Sequence, residues 1–316
     1  MQIDNQVLAA PLAGISDKAF RLIAKEMGAG AVYTEMISDK ALVYRNQKTF
    51  ELMDIQDEEG PIAVQIFGRD PEFLTPAARI MVERGAQWID FNMGCPAPKV
   101  VKNGEGAALM KEPDVAYRAV EALVNAVDVP VTVKLRKGFD VSSVNVLSMA
   151  KTIQGLGVAA IAVHGRTRDQ FYSGQADWQV IAEVVSRVDV PVIGNGDIWE
   201  PTDASRMLAE TGCQAVMIGR GSFGNPWLIR QNLAVLAQEK PVFPTMEEKI
   251  AMALKHLRLA VHYKGERVGV REMRKQLSWY IKNGTGAARL RDEINQAEDE
   301  KTLIALLNAF LERQKG

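Results

Sequence analysis

Cysteine and histidine are scarce in this chain of 316 residues, which contains two cysteines and three histidines. The cysteines, Cys95 and Cys213, are too few for a disulfide framework. Together with His164, His256 and His262, they form neither a CxxC nor an HExxH spacing. The sequence therefore predicts neither a disulfide-stabilised fold nor a bound metal.

Long apolar runs are also missing. No uncharged run approaches the roughly 18 residues that a membrane-spanning helix needs. The N-terminus contains Asp4 and Pro11 and lacks a basic segment followed by an apolar one, so no secretion signal is predicted. We therefore expect a cytoplasmic protein that has no membrane partner.

An excess of charge of either sign is absent, since 38 Lys or Arg residues face 39 Asp or Glu residues. The distribution of this charge is nevertheless uneven. Residues 249–291 hold eleven Lys or Arg against only Glu266 and Glu272, a local charge of +9. An acidic body is therefore joined to a basic segment near the C-terminus.

Short apolar runs, often β-branched, recur from residue 7 onwards, and each is followed by a polar loop and a segment with helical periodicity. Apolar strands that alternate with helices are typical of a parallel sheet buried on both faces. Eight such units predict an α/β fold, a (β/α)₈ TIM barrel. A doubly wound sheet would usually have fewer strands and a glycine fingerprint after the first one. The eight runs are 7–13, 31–36, 62–68, 88–93, 130–136, 160–166, 191–197 and 215–221.

The alternation ends near residue 240, where "KPVFPTMEE" contains two prolines. No strand run follows, and helices are predicted over residues 247–263, 268–282 and 300–313. We therefore expect a catalytic barrel over residues 1–240 and a small all-helical domain over residues 241–316.

Polar side chains gather where the predicted strands end, which is where barrels of this kind place their chemistry. The last two ends, "GNGDI" and "GRGSFG", are glycine-rich turns that would expose backbone N–H groups to an anion such as phosphate. So many convergent polar groups predict an enzyme. The other ends carry Glu35, Gln65, Asn92, Cys95, Lys134, Arg136, His164 and Arg166.

Each of these residues also has a purely structural explanation. Lys134 would form a core ion pair, His164 would be a hydrogen-bonded core histidine, and Cys95 would be a small buried hydrophobe. Gln65 and Asn92 would only satisfy buried backbone groups. These explanations weaken because all five residues fall at the same end of successive strands.

The motifs, in this order, resemble those of the tRNA-dihydrouridine synthases, which are flavin-dependent reductases of uridine, and especially their bacterial class B branch. The resemblance covers almost the whole chain, and its Asn-x-Gly-Cys-Pro element with "HGRT" and "NGD" is highly specific as a set. Leu12 replaces the methionine that the family commonly has beside the flavin. The matching segments include "APLAGISDKAFR", "VQIFGRDP", "GAQWIDFNMGCPAPKVVKNGEGAALM", "AVHGRTRDQFYSGQADW" and "VMIGRGSFGNPW".

The resemblance implies a flavin mononucleotide (FMN) bound across the barrel mouth, with NADPH or NADH as the reductant. Gln65 and Lys134 would bond the polar edge of the flavin, and His164 would face it. Three residues after the first strand would contact the flavin ring: Pro11, Leu12 and Ala13. The two glycine-rich turns would hold the ribityl phosphate through Asn195, Gly196, Asp197, Gly219 and Arg220.

The resemblance also implies a task for Cys95. Hydride addition to C6 of uracil leaves enolate-like charge that must be protonated at C5, and a thiol with a pKa of about 8.5 remains protonated at neutral pH. Cys95 would be this general acid, Asn92 would steer the uracil carbonyl, and Arg166 would face the substrate. The expected activity is that of an oxidoreductase acting on CH–CH groups.

A uridine within folded tRNA must leave its stack to reach a barrel mouth, so base flipping is implied. The basic segment would supply the RNA-binding surface, although a solvated helix face explains its charge equally well. The resemblance and the interleaved aromatic residues favour RNA binding. The predicted tRNA contacts are Lys99 after the fourth strand and, in the basic segment, Arg271, Arg274 and Lys275.

Two other functions remain open from the residues alone. A flavin barrel that acts on a free pyrimidine, like a dihydroorotate-type dehydrogenase, would also place a cysteine over its substrate, but it would not require a basic helical appendage. A tRNA-binding protein with a vestigial barrel would keep the appendage and lack the cofactor. In each case we expect a monomer.

Overall fold

The computed structural model of the protein describes residues 3–282 and 284–315. It confirms the predicted TIM barrel: nine strands form one nearly closed parallel sheet with helices between them. The strands are β1 (Val7–Ala9), β2 (Val32–Tyr33), β3 (Ile37–Ser38), β4 (Ile62–Phe67), β5 (Ile89–Met93), β6 (Val131–Arg136), β7 (Ala160–His164), β8 (Val192–Asn195) and β9 (Ala215–Ile218).

The barrel closes between its first and second strands. Neighbouring strands pair in the order β1-β9-β8-β7-β6-β5-β4-β2, and every pair is parallel. The ring is completed where the Ala9 N–H donates to the Ala31 carbonyl at 3.0 Å, just before β2. Both faces of most strands are buried, which explains why the strands read as apolar runs without alternation.

The second predicted run, 31–36, contains only the short strand β2, and a further short strand, β3, begins directly after it. Both β2 and β3 pair with β4, and Thr34 lies between them. The Thr34 hydroxyl accepts the backbone N–H of Gln65 at 3.0 Å, so a side-chain oxygen replaces the strand carbonyl at this rung of the ladder. The pattern of apolar residues does not reveal such a replacement.

Helices surround the barrel. The first begins after Asp17, whose carboxylate accepts the Phe20 N–H at 2.9 Å and so caps the helix. The barrel helices are α1 (Lys18–Glu26), α2 (Asp39–Val43), α3 (Gln47–Leu52), α4 (Pro71–Glu83), α5 (Pro98–Lys102), α6 (Pro113–Ala126), α7 (Val146–Gln154), α8 (Trp178–Val185), α9 (Asp203–Thr211) and α10 (Trp227–Leu236).

The C-terminal region is helical, as predicted. Its helices are α11 (Met246–Lys264), α12 (Glu266–Tyr280), α13 (Ala287–Gln296) and α14 (Glu300–Lys315). Sequence periodicity missed α13, because this short helix is mostly polar and buries only Leu290 and Ile294. α11 packs on α1, where Lys264 Nζ lies 2.6 Å from the Asp17 carboxylate. The division into two domains at residue 240 stays a prediction.

Candidate active site

A cleft of about 500 Å³ opens at the C-terminal ends of the strands, a size typical of ligand pockets. Its lining includes all eleven residues predicted to hold the flavin. Cys95, Asn92 and Lys275 line it as well. The remaining predicted contacts, Lys99, Arg166, Arg271 and Arg274, do not belong to its lining.

The turn that presents Cys95 is organised by Asn92. Asn92 Oδ1 accepts the backbone N–H groups of Gly94 at 3.1 Å and Cys95 at 2.9 Å. Its Nδ2 donates to Gln65 Oε1 at 2.8 Å, and Gln65 Nε2 donates to the Asp90 carboxylate at 2.7 Å. One amide therefore shapes the turn after β5, and a single N–H bond of Asn92 remains for the predicted uracil contact.

The Cys95 thiol is half-buried in the cleft. Burial raises its pKa, while the Ala97 N–H and the charges of Arg136 and Lys134 partly offset this rise. The thiol is therefore protonated at neutral pH, and the thiolate that forms after proton loss has favourable partners. This combination suits a group that releases a proton inside the cleft.

The mouth of the barrel is strongly cationic. Burial is the largest cause that holds the pKa of His164 well below its usual value, and four nearby cations add to it: Lys134, Arg136, Arg166 and Arg220. His164 is therefore a neutral imidazole at pH 7. A site with this much positive charge favours an anionic ligand.

Lys134 is not part of a core ion pair. Its Nζ donates to Asn195 Oδ1 at 3.0 Å, and Asn195 Nδ2 is itself fixed by the Met217 carbonyl at 2.7 Å. Burial, and then repulsion from Arg136, lowers the pKa of Lys134 to about 8. Within residues 3–282 and 284–315, Lys134 forms no salt bridge, so two N–H bonds of the ammonium group are available to a ligand.

In the turn after β8, only glycine fits at position 196, and the carboxylate of the next residue, Asp197, contacts two arginines. Gly196 has φ +120°, and a Cβ there would lie 2.9 Å from the His164 ring. The Asp197 carboxylate accepts from Arg166 at 2.7 Å and lies 3.6 Å from Arg220. The Asp197 carboxylate therefore positions these two arginines, and the phosphate contact expected of this turn stays a prediction.

Two predicted contacts are engaged within the protein. Arg166 is 1% exposed and lies behind Asp197, where it also donates to loop carbonyls. Arg274 Nε donates to the Ala297 carbonyl at 2.9 Å and ties α12 to the segment before α14. Part of each guanidinium is therefore engaged within the protein, and the predicted substrate contacts of both arginines stay predictions.

The other predicted RNA contacts remain accessible. Lys99 on α5 and Arg271 on α12 are exposed. Lys275 lies one helical turn after Arg271, lines the cleft, and places Nζ 5.3 Å from the centre of the Trp279 ring. Arg271 and Lys275 therefore carry the exposed part of the proposed basic face of α12.

The sequence assigned no role to several residues that the structure brings to the mouth. Arg136 donates to the Gly94 carbonyl at 2.8 Å and the Thr167 carbonyl at 2.7 Å, and so joins the Cys95 turn to the loop after β7. The position of Arg136 at the end of a predicted strand is the sequence feature that could have pointed to this role. Tyr172 and Trp199 also line the cleft, but they lie on loops, where no periodicity singles out an aromatic residue.

Among the described residues, no helix has the length and apolarity to cross a membrane. Over the same part of the chain, no three His, Cys, Asp or Glu side chains converge closely enough to hold a metal ion.

Known proteins resemble this chain over nearly its whole length. A family model described as dihydrouridine synthase matches residues 7–315. The chain is 42% identical to "tRNA-dihydrouridine synthase B" of Xanthomonas campestris pv. campestris, over 98% of this chain and 94% of that protein. It is 40% identical to the protein of the same name from Escherichia coli strain K12, over 98% and 97% of the two chains.

Solved structures share the barrel. Histamine dehydrogenase from Rhizobium sp. 4-9 matches 81% of this chain and 49% of its own, with a TM-score of 0.58 and 12% identity. A variant of NCR from Zymomonas mobilis matches 78% of this chain and 91% of its own, with a TM-score of 0.54 and 15% identity. At these identities, the likeness shows the fold alone.

Proposed function

Because this chain belongs to the dihydrouridine synthase family and is therefore an oxidoreductase acting on CH–CH groups, we propose that it reduces specific uridines of tRNA to 5,6-dihydrouridine. FMN is the proposed bound cofactor, NADPH or NADH the reductant, and the cytoplasm the place of action. One observation carries the proposal: the Cys95 thiol, Lys134 and both glycine-rich turns line a single cleft.

The residues of the cleft fit FMN in charge and in shape. Four cations at the mouth favour a ligand that carries phosphate, and Lys134 has two N–H bonds available for the polar edge of the ring. A Cβ at Gly219 would meet nothing closer than Ala10 at 3.8 Å, so the backbone of this turn is open to a phosphate. The apolar loop Pro11–Ala13 supplies a surface for the ring system.

When bound, FMN would supply a hydride to C6 of the uracil, which uses up the C5=C6 double bond and leaves negative charge on C5. Burial keeps Cys95 protonated until this moment, and its thiol would then donate a proton to C5, which neutralises this charge and completes the 5,6-dihydro ring. The resulting thiolate is stabilised by the Ala97 N–H and by the charges of Arg136 and Lys134. It regains its proton from water before the next turnover.

The uridine must flip out of the RNA to reach Cys95. Arg271 is exposed and Lys275 lines the mouth one helical turn later, so α12 would guide the RNA backbone to the cleft. Lys99, exposed on α5 beside the Cys95 turn, would contact a further phosphate. Contacts of this kind make the affinity depend on salt.

The experiment that tests the proposal supplies the purified protein with NADPH and either an unmodified tRNA transcript or free uridine. We expect a yellow protein with extractable FMN, dihydrouridine at defined positions of the tRNA, and negligible reduction of free uridine. A colourless protein without flavin would contradict the cofactor. Reduction of the free pyrimidine alone would contradict the tRNA substrate.

A further inference from the structure

A second cleft, of about 560 Å³, lies beside the first. It is bounded by the loop after β7, the loop after β8 and one side of α9. Its outer part, which includes Trp178 and Arg206, has no task in the reaction proposed above. Its inner part is continuous with the first cleft, because both are lined by Tyr172, Asp197, Trp199 and Arg220.

The lining of this second cleft alternates guanidinium groups with aromatic rings. The Arg220 guanidinium lies 4.3 Å from the centre of the Tyr172 ring and 5.1 Å from that of Trp199. The Arg206 guanidinium lies 5.2 Å from the centre of the Trp178 ring. Tyr172 is 45% and Trp199 46% exposed, so a large part of each ring is open to a ligand. Such alternation suits a nucleotide, whose phosphate binds arginine and whose base stacks on a ring.

A buried donor in the second cleft lacks an acceptor. Arg166 lines the cleft, and its Nε and Nη2 bond loop carbonyls and Asp197. Among the described residues, Arg166 Nη1 has no hydrogen-bond partner. A buried N–H group without an acceptor is unfavourable, and a phosphate oxygen would satisfy it. Asp197 is paired with Arg166 and Glu210 with Arg206, while Asp197 Oδ1, like Arg166 Nη1, has no hydrogen-bond partner among the described residues.

The position of the second cleft favours RNA as the source of that nucleotide. A uridine that flips into the mouth keeps its covalent neighbours, so the strand must cross the rim on its way in and out. Lys275 of α12 lines one part of the rim. Tyr172 and Trp199 line another part, where the first cleft runs into the second. An RNA strand at the mouth would therefore pass a cation at one place on the rim and exposed aromatic rings at another.

We propose that the second cleft binds a tRNA nucleotide adjacent to the uridine that is reduced. The base of this nucleotide stacks on the exposed faces of Trp199 and Tyr172, and its phosphate binds Arg166 and Arg206. The proposal rests on the proposed function and adds an anchor for the strand beside the flipped base. Stacking of this kind tolerates any base, so the cleft holds the strand without reading its sequence.

The test compares Trp199→Ala, Trp199→Phe and Arg206→Gln with a matched control, Arg84→Gln. The Arg84 guanidinium also covers an aromatic ring, that of Phe50 at 4.8 Å, but it follows α4 at the opposite end of the barrel. The dissociation constant of unmodified tRNA is measured by fluorescence anisotropy over a series of salt concentrations, with the flavin-bound proteins.

Trp199→Ala and Arg206→Gln should each weaken tRNA binding about tenfold, the size of one lost stacking or phosphate contact. Arg206→Gln should also reduce the slope of log affinity against log salt by about one. Trp199→Phe, which keeps a ring, should stay within about twofold of the wild type, since the stacking surface remains. Arg84→Gln should match the wild type throughout.

Reduction of the flavin by NADPH, followed without tRNA, is the second readout, and Arg206→Gln should leave its rate unchanged. Unchanged tRNA affinity in either Trp199→Ala or Arg206→Gln overturns the proposal. A slower NADPH step with wild-type tRNA affinity also overturns it, because the cleft would then serve the reductant. A wild-type protein that lacks flavin or forms no dihydrouridine contradicts the proposed function instead, so the two failures are distinguishable.

Discussion

The indole of Trp279 in α12 stacks on the ring of Phe223, which follows β9, with centroids 4.3 Å and planes 14° apart. Beside the stack, a Cβ at Gly224 would lie 2.4 Å from the Trp279 carbonyl carbon, so helix and turn are packed as closely as glycine allows. The proposed phosphate-binding turn is thus joined directly to the helix that carries Lys275. The proposed RNA-binding helix and the proposed cofactor-binding turn therefore share one contact.

A double-mutant cycle measures the interaction energy between the rings of Phe223 and Trp279. In a cycle of Phe223→Ala, Trp279→Ala and the double variant, urea unfolding should give a coupling of about 1 kcal/mol, as expected for a stacked pair. Trp279→Ala should also weaken tRNA binding, because Lys275 loses the ring beneath it. Trp279→Phe should keep most of the stability towards urea and most of the tRNA affinity. Strictly additive stabilities would show that the rings do not interact.

The thiol of Cys95 is tested by its removal. Cys95→Ala should keep flavin and tRNA binding but lose at least about 10²-fold of the rate of uridine reduction, the usual contribution of a general acid. The matched control is Cys213→Ala, since Cys213 is buried in the hydrophobic core and does not line the cleft. Single-turnover formation of dihydrouridine gives the rate. Near-wild-type reduction by Cys95→Ala would remove Cys95 as the acid.

The lowered pKa of Lys134 predicts how FMN binding depends on pH. With a pKa of about 8, Lys134 is charged at pH 7, and this charged form binds an anionic cofactor. The affinity of the cofactor-free protein for FMN should therefore fall as pH rises through about 8. Lys134→Met should bind FMN more weakly and lose this decrease. Quenching of flavin fluorescence measures both, and an identical pH profile in the variant would exclude Lys134 as its source.

The lowered pKa of Lys134 also predicts how the stability of the fold depends on pH, because proton binding is linked to folding. The folded-state pKa of Lys134 lies below its unfolded value, so the charged form disfavours folding, and this penalty fades as pH rises from about 8 towards about 10.4. At pH 7, the cofactor-free Lys134→Met variant should be more stable than the wild type towards urea. Equal stability at pH 7 would mean that the ammonium group is better solvated than its position suggests.

The basic face of α12 is tested by Arg271→Ala together with Lys275→Ala. Loss of two phosphate contacts should weaken tRNA binding at low salt and reduce the salt slope by about two, while flavin reduction by NADPH continues at the wild-type rate. The control is Arg289→Ala, because Arg289 is an exposed arginine paired with Glu293 on α13. Unchanged tRNA affinity in the double variant would refute α12 as the docking helix.

Much of the barrel and its mouth follows from the sequence, because parallel strands bring their C-terminal ends to one edge. This rule predicts that Cys95, Lys134 and His164 lie together, and all three line one cleft. The family and the oxidoreductase activity followed from the motif set and are confirmed by the comparisons.

The remaining features depend on partners that are distant in the chain. The sequence did not show that Arg274 Nε donates to the Ala297 carbonyl or that the Asp197 carboxylate accepts from Arg166. Between β2 and β3, the Thr34 hydroxyl accepts the Gln65 N–H in place of a strand carbonyl. The second cleft is built from loop residues such as Trp199, for which neither periodicity nor spacing gives a signal.

The hydrogen bonds that run from Asp90 through Gln65 to Asn92 fix the Cys95 turn to the wall of the barrel. They involve no residue of α12 and none that lines the second cleft. Under the proposed function, substitutions on α12 or in the second cleft would therefore change which uridine is delivered and would leave the proposed proton donor in place.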